Sequence, residues 1–139
     1  MRSRVLVVDP HANIAELLCK VLELGHYEVE TASSSAGANA QMERHEFSVA
    51  LVNLTLPDGD GLRLLQLLKR RDPSLEVILM TGSTPSHAIV AEASERGAFH
   101  FLFKPFDLDE MLTAVAKALE NRRLLSANPE FRRKFCDSG

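Results

Sequence analysis

Four polar residues end or follow short apolar runs that have the length of buried strands: Asp9, Asn53, Thr81 and Lys104. They supply a carboxylate, an amide, a hydroxyl and an ammonium group, which together can pair charges or bind an anionic group. If the apolar runs are parallel strands, their carboxyl ends meet at one edge of a sheet, where open α/β sheets bind ligands. The sequence therefore predicts that these four side chains converge on one pocket.

The elements that must position these residues alternate between short apolar runs and longer amphipathic stretches. Strands are predicted at residues 5–8, 27–32, 49–54, 77–80 and 99–103, each followed by a helical pattern. The second strand alternates with glutamates and is expected at a sheet edge. Parallel strands with right-handed helical crossovers predict an α/β fold, a flavodoxin-like (βα)5 doubly wound sheet of strand order 2-1-3-4-5.

One turn sequence predicts where the fourth helix begins. Thr84 is a capping residue placed before Pro85, and proline suits the first turn of a helix. Asp58, in the loop after the third strand, has no such role in the pattern, so its side chain is expected to point to solvent.

Composition limits the class of protein. The chain has 139 residues, 45% hydrophobic and 25% charged, with a formal net charge of −3. These values fit one globular domain and do not favour binding of nucleic acid by the whole surface. Cys19 and Cys136 indicate neither a disulfide framework nor a zinc site. Without a membrane span or a signal sequence, we expect a soluble protein of the reducing cytoplasm.

Charge divides the chain into two parts, a domain over residues 1–121 and a basic helical extension, linker or tail over residues 122–139. The second part carries a net charge of +3, which leaves −6 for the first. Asn128-Pro129 is expected to end the last helix. The tail is too short for a recognisable DNA-binding module, so DNA binding is expected only through an output domain that these residues do not contain. A regulator that binds DNA through the tail is kept as an alternative.

Five sequence strings resemble the receiver domains of two-component response regulators, in family order and spacing over about residues 4–121. They are V-L-V-V-D, L-V-N-L-T-L-P-D-G-D-G-L, V-I-L-M-T-G, G-A-F-H-F-L-F-K-P-F and D-L-D-E-M-L. The resemblance implies a signalling module, not an enzyme, that takes a phosphoryl group from a histidine kinase onto an aspartate ending the third strand. It also implies a Mg²⁺ ion held by two acidic residues after the first strand, with Thr81 and Lys104 contacting the phosphoryl group.

Two positions depart from that family pattern. The acceptor position is Asn53, and the second acidic position is Pro10, while Asp9, Thr81 and Lys104 match. An amide does not form a stable acyl phosphate, and proline offers no oxygen ligand. Asp9 and Lys104 give a formal site charge of zero, so Mg²⁺ binding at Asp9 is expected to be weak or absent. We therefore predict a pseudo-receiver that acts in protein interaction without phosphorylation.

A working phosphotransfer receiver remains the alternative. It would use an unconventional acceptor such as Asp58 or Asp60, or Asn53 would be an engineered replacement of the acceptor. Engineering does not account for Pro10 as well.

Each site residue also has a structural alternative. Asp9 would cap the first helix or pair with Lys104, Thr81 would bond to the backbone through its hydroxyl group, and Asn53 would form an Asx-turn at the start of the next loop. For Asp60, the resemblance implies a cap, because the Asp60-Gly61 pair matches a feature that the family uses to start its third helix.

The remaining predictions concern partners. Phe101 occupies the position of the family's aromatic switch, and without a hydroxyl group it is expected to favour an inward position. The alternative is that Phe99, Phe101 and Phe103 fill one face of the fifth strand. The expected partners are a histidine kinase, an output domain, or a second copy bound through the fourth helix, fifth strand and fifth helix.

Overall fold

A computed structural model describes residues 2–127 of the chain. Five strands form the main sheet: β1 (Arg4–Val8), β2 (Glu28–Ala32), β3 (Val49–Asn53), β4 (Glu76–Thr81) and β5 (Ala98–Phe103). Five helices follow them in turn: α1 (Ala12–Leu24), α2 (Ser35–Arg44), α3 (Gly61–Arg71), α4 (His87–Glu95) and α5 (Leu108–Ala127). The described residues do not include Asn128-Pro129, which is predicted to end the last helix. They also do not include the basic residues 132–134 of the predicted tail.

All the pairings in the main sheet are parallel, and the strand order is β2-β1-β3-β4-β5. This is the predicted doubly wound α/β order, with β2 at an edge as its glutamates indicated. Strands β1, β3 and β4 are buried on both sides, and each contains one of the continuous apolar runs of the sequence. The fold prediction is confirmed, and the carboxyl ends of the parallel strands lie together at one end of the sheet.

The core consists of two apolar layers, one on each face of the sheet. On one face Val7, Leu51 and Met80 pack with α1 and α5. On the other face Val52 and Leu79 pack with α2, α3 and α4. Because successive side chains of a strand point to opposite faces, each central strand contributes to both layers. Within residues 2–127, no helix is both long enough and apolar enough to cross a membrane.

The starts of the helices correct one prediction and confirm another. The Asp60 Oδ1 atom accepts a hydrogen bond from the Arg63 N–H at 2.8 Å, so Asp60 caps α3 as predicted. Ser86, not Thr84, caps α4, with its hydroxyl oxygen accepting from the Ile89 N–H at 3.2 Å. Pro85 therefore precedes the cap instead of occupying the first turn, because Ser86 supplies a capping oxygen closer to the helical pattern.

Strand β5 also differs from its expected pattern. The pairing of β4 with β5 shifts register between Val77 and Ile78, which leaves Phe99 without an opposite residue. Phe99 consequently packs in the layer of α1 and α5, whereas Phe101 packs in the opposite layer. The idea that Phe99, Phe101 and Phe103 fill one face is therefore wrong, because one extra residue reverses the alternation.

Candidate functional site

The carboxyl ends of β1, β3, β4 and β5 bring Asp9, Asn53, Thr81 and Lys104 to one edge of the sheet. Asp9 is 1% exposed, Asn53 5% and Thr81 4%, although each is polar. Buried polar groups are stable only when they are hydrogen-bonded, so the partners of these side chains define what the site can do.

Lys104 is the centre of the site. Its Nζ atom donates to Asp9 Oδ2 at 2.6 Å and to Asn53 Oδ1 at 3.0 Å. The ammonium group thus joins the ends of three strands, β1, β3 and β5, in one contact. The ion pair predicted between Lys104 and Asp9 is present, and Asn53 shares it through its carbonyl oxygen.

The other oxygen of Asp9 is also occupied. Asp9 Oδ1 accepts from the His11 backbone N–H at 2.8 Å and lies 3.0 Å from His11 Nδ1. His11 is the residue before α1 and makes no side-chain cap of its own. Of the two structural roles considered for Asp9, the ion pair with Lys104 is present, whereas the cap of α1 is not, because the Asp9 carboxylate bonds to the N–H of His11 ahead of the helix.

Asn53 is held by the loop that follows it. Its Nδ2 atom donates to the Thr55 carbonyl oxygen at 2.7 Å, while its own Oδ1 faces Lys104. The loop continues as a small hairpin of two-residue strands, Thr55–Leu56 and Gly59–Asp60. The Asx-turn predicted at Asn53 is not formed, because the side-chain oxygen accepts from Lys104 and the amide nitrogen donates to the loop.

Gly61 lets α3 begin directly against this loop. A Cβ atom at Gly61 would lie 2.7 Å from the Asn53 carbonyl oxygen and 2.9 Å from Leu54 Cα. Both neighbours are backbone atoms, which cannot turn aside as a side chain can. A larger residue at position 61 would therefore displace the strand end that carries Asn53.

Thr81 bonds to the loop after its own strand. Its hydroxyl group contacts the Ser83 backbone, both as donor to the carbonyl oxygen and as acceptor from the N–H, at 3.2 Å each. This is the hydroxyl–backbone bond considered from the sequence. A part in contacting a phosphoryl group stays a prediction.

Asp58 is exposed to solvent, as expected from the sequence, but its carboxylate also makes two hydrogen bonds that the sequence did not indicate. Its carboxylate accepts from the Ser35 N–H at 2.8 Å and the Ala36 N–H at 3.0 Å, at the start of α2. These two bonds, that of Ala36 first, hold the pKa of the Asp58 carboxyl below its usual value. The side chain therefore joins the loop after β3 to the start of α2 while it remains exposed, a contact between residues more than twenty positions apart.

Phe101 lies beside the site on β5 and is half-buried. It packs against the layer of α2, α3 and α4 and stacks on Phe103, with ring centroids 5.4 Å apart. Phe103 itself is 49% exposed. Phe101 thus has an apolar neighbour on both sides, and its function as a switch stays a prediction.

A groove of about 720 Å³ between α1 and α2 opens next to Asp9 and Pro10 and contains Cys19. The Cys19 thiol donates to Glu23 Oε1 at 2.9 Å. Burial, and then the hydrogen bond and negative charge of Glu23, raise the pKa of Cys19 to about 11. The thiol is protonated at neutral pH, so this groove offers no thiolate nucleophile.

Comparison with known proteins now identifies the family. The sequence profile of the family "Response regulator receiver domain" matches residues 5–116. The chain belongs to this family. Receiver domains are in general signalling modules of two-component systems that work with histidine kinases and output domains.

Two proteins similar in sequence to this chain are named as a regulatory protein and a response regulator. The chain is 32% identical over 126 residues to the nitrogen assimilation regulatory protein NtrX of Azorhizobium caulinodans, covering 89% of this chain and 28% of that protein. It is 35% identical over 131 residues to the response regulator protein PilR of Pseudomonas aeruginosa, covering 93% and 28%. The chain thus spans little more than a quarter of the length of these relatives.

Solved structures agree with the fold. A CheY-like receiver domain from Methanospirillum hungatei aligns with a TM-score of 0.84 at 28% identity, over 88% of this chain and 98% of that one. The beryllofluoride-activated NtrC4 receiver domain, solved as a dimer, aligns with a TM-score of 0.80 at 33% identity, over 86% and 98%.

Proposed function

We propose that this receiver domain acts as a protein-interaction module in two-component signalling and is not switched by an aspartyl phosphate. The observation that carries the proposal is the contact of Lys104 Nζ with both Asp9 and Asn53. The contact makes a neutral and hydrogen-bonded site out of residues that, in the family pattern, hold a metal ion and a phosphoryl group.

The available donors do not fit Mg²⁺. This ion prefers several oxygen ligands in octahedral arrangement, including carboxylates. Asp9 is the one carboxylate among the strand-end residues, and its two oxygens already face Lys104 and His11. Pro10 has no oxygen in its side chain. Among residues 2–127, no group of three or more His, Cys, Asp or Glu side chains is arranged to hold a metal ion.

Asn53 also lacks the chemistry of an acceptor. In transfer from an acyl phosphate donor, a carboxylate oxygen attacks phosphorus, a new O–P bond forms, and the donor leaves as its carboxylate. The Asn53 amide is a poor nucleophile, and its Nδ2 is engaged with the Thr55 carbonyl oxygen. We infer that no stable phosphoryl group is carried at position 53.

Intact-mass spectrometry after incubation with Mg²⁺ and acetyl phosphate tests this proposal. We expect the natural chain to gain no phosphoryl group and the Asn53→Asp, Pro10→Asp double variant to gain one. The single Asn53→Asp variant, which restores the nucleophile without the second acidic ligand, is the matched control and should react more slowly. Far-ultraviolet circular dichroism on each variant shows that the fold is kept.

Phosphorylation of the natural chain would contradict the proposal and favour an unconventional acceptor. Peptide mapping would then begin with Asp58, Asp60 and Asp9. Asp58 and Asp60 are exposed but are engaged with the starts of α2 and α3, so their carboxylates are not free nucleophiles. This is a further reason to expect no reaction there.

The proposed interaction surface is formed by α4, β5 and α5. Phe103 is 49% exposed and Val90 on α4 is 37% exposed, which leaves apolar side chains available to a partner. A second copy, a histidine kinase or an output domain is the expected partner, and the expected location is the cytoplasm. Sedimentation velocity with a Phe103→Asp variant tests the second copy, because a dimer through this surface should dissociate.

A further inference from the structure

Helix α3 carries an unusual concentration of positive charge. Its residues Gly61–Arg71 include four cations, Arg63, Lys69, Arg70 and Arg71, and no acidic residue. The helix therefore has a formal charge of +4 within a part of the chain, residues 1–121, whose total is −6. Such a local reversal of charge indicates a surface that attracts a negatively charged partner.

Two of these cations project into a shallow groove of about 340 Å³ between α3 and the end of α4. The groove is lined by Asp60, Arg63, Gln66, Leu67, Arg70 and Arg96. Arg96 pairs with Glu92, and the Asp60 carboxylate is bonded to the backbone of α3. In the part of the chain that the structure describes, no carboxylate lies within salt-bridge distance of Arg63 or Arg70.

The other two cations of α3 do not line this groove. Lys69 turns away from it, because its Nζ atom donates to the Pro73 and Leu75 carbonyl oxygens at 2.9 Å each. Arg71 is exposed but is not part of the groove lining. The helix thus places two cations, Arg63 and Arg70, in the groove. Arg71 carries the same charge outside the groove, so a change at Arg71 can serve as a control for a change at Arg70.

Leu67 indicates what kind of partner the groove accepts. It lies four residues after Arg63 and three before Arg70, a spacing that puts all three side chains on one face of the helix. It is 38% exposed, so an apolar side chain lies between two cations at the surface. A nucleic-acid backbone presents phosphates and gains little from an exposed leucine, whereas a protein helix can present carboxylates around an apolar side chain.

We propose that the α3–α4 groove docks an acidic amphipathic helix of a partner protein. An apolar side chain of that helix would pack on Leu67, and flanking carboxylates would pair with Arg63 and Arg70. This surface is separate from the strand-end site and from the α4-β5-α5 surface. The inference therefore goes beyond the proposed function, and the phosphorylation experiment does not decide it.

Fluorescence anisotropy with a labelled helical peptide tests the inference. The probe carries a leucine flanked by glutamates three and four positions away on each side, and the control peptide has lysines in place of those glutamates. We expect the acidic peptide to bind, more weakly as salt is raised, and the lysine peptide not to bind. Arg70→Gln should weaken binding about fivefold, the upper range for one exposed ion pair.

The matched control is Arg71→Gln, which removes the same charge from the neighbouring residue outside the groove. It should change binding by less than about twofold. Leu67→Ser, which keeps every charge, should weaken binding about fivefold through lost apolar contact. Equal effects of Arg70→Gln and Arg71→Gln would overturn the inference, since attraction would then depend on net charge alone. Tighter binding of a short DNA duplex than of the acidic peptide would also overturn it.

Discussion

Within residues 2–127, two carboxylates are buried at opposite ends of the sheet, and each lies beside a lysine. Asp9 at the carboxyl end is 0% exposed in its side chain and lies 2.6 Å from Lys104. Glu76 at the amino end is 4% exposed and lies 3.5 Å from Lys69. Lys104 reaches across the sheet to β1 and β3, whereas Lys69 donates mainly to carbonyl oxygens a few residues further along its own chain.

This difference in lysine contacts affects how much each buried carboxylate depends on its lysine. Without Lys69, Glu76 keeps the Asn121 amide of α5 as a donor to its other oxygen. Without Lys104, Asp9 keeps only His11, whose side chain is 65% exposed. Each carboxylate thus keeps a donor to one oxygen, but the lysine contact that is lost measures 2.6 Å at Asp9 and 3.5 Å at Glu76. Because attraction between opposite charges weakens with distance, and a buried carboxylate that loses its cation costs several kcal/mol, Asp9 is expected to depend more on its lysine than Glu76 does.

The largest effect is expected from Lys104→Met. It leaves Asp9 buried without a cation, so we expect the free energy of unfolding to fall by about 3 kcal/mol. Urea unfolding followed by far-ultraviolet circular dichroism measures this, since the chain has no tryptophan. The same change at the exposed Lys117 of α5 is the matched control and should cost less than about 0.5 kcal/mol.

A second variant separates loss of the cation from loss of packing. Adding Asp9→Asn to Lys104→Met removes the unpaired charge, so most of the stability should return. If the double variant is as unstable as Lys104→Met alone, the ion pair is not the reason for the loss. The contrast between the two ends of the sheet would then rest on packing.

A smaller effect is expected from Asn121→Ala, which tests the other end. Glu76 would lose the donor to one buried oxygen and keep Lys69, so we expect a loss of about 1.5 kcal/mol. Amide hydrogen exchange should also rise in the last turns of α5, because Asn121 joins this part of the helix to β4. A loss equal to that of Lys104→Met would remove the contrast between the two carboxylates.

The sequence predicted the first carboxylate and missed the second for a physical reason. Asp9, Asn53 and Lys104 follow continuous apolar runs, so strand ends could be located and the sheet order placed them together. Glu76 begins β4 instead of ending it, and no rule singles out the amino ends of parallel strands. Its partner Asn121 is 45 residues away on α5, a contact that only the packed fold makes visible.

Short sequence patterns did not predict a feature correctly where two residues could take the same role, or where the partner residue lies far away in the sequence. Thr84 and Ser86 are both capping residues within one short segment, and Ser86 is the one whose hydroxyl oxygen accepts from an N–H of α4. The reversed face of Phe99 depends on a register shift in pairing with β4, which periodicity within β5 cannot reveal. The bonds of Asp58 join a loop to the first N–H groups of α2, more than twenty positions away, so no neighbouring residue in the sequence indicates them.

Asp58 offers the smallest and most selective test, because it is a third carboxylate with backbone partners in place of a lysine and with a side chain open to solvent. The Ala36 and Ser35 N–H groups lower its pKa from the usual 3.8 in the folded protein. Its contribution to stability is therefore complete above the usual pKa and is lost as the pH falls through the lower, folded value.

We expect Asp58→Ala to lower the melting temperature at neutral pH and to have a smaller effect at about pH 3. Asp58→Asn keeps an accepting oxygen that does not titrate, so its melting temperature should differ from that of Asp58→Ala at both pH values. An Asp58→Ala effect that is the same at both pH values would show that the charge of the carboxylate contributes nothing there, and the contribution of Asp58 would then come from its hydrogen bonds to α2 without the charge.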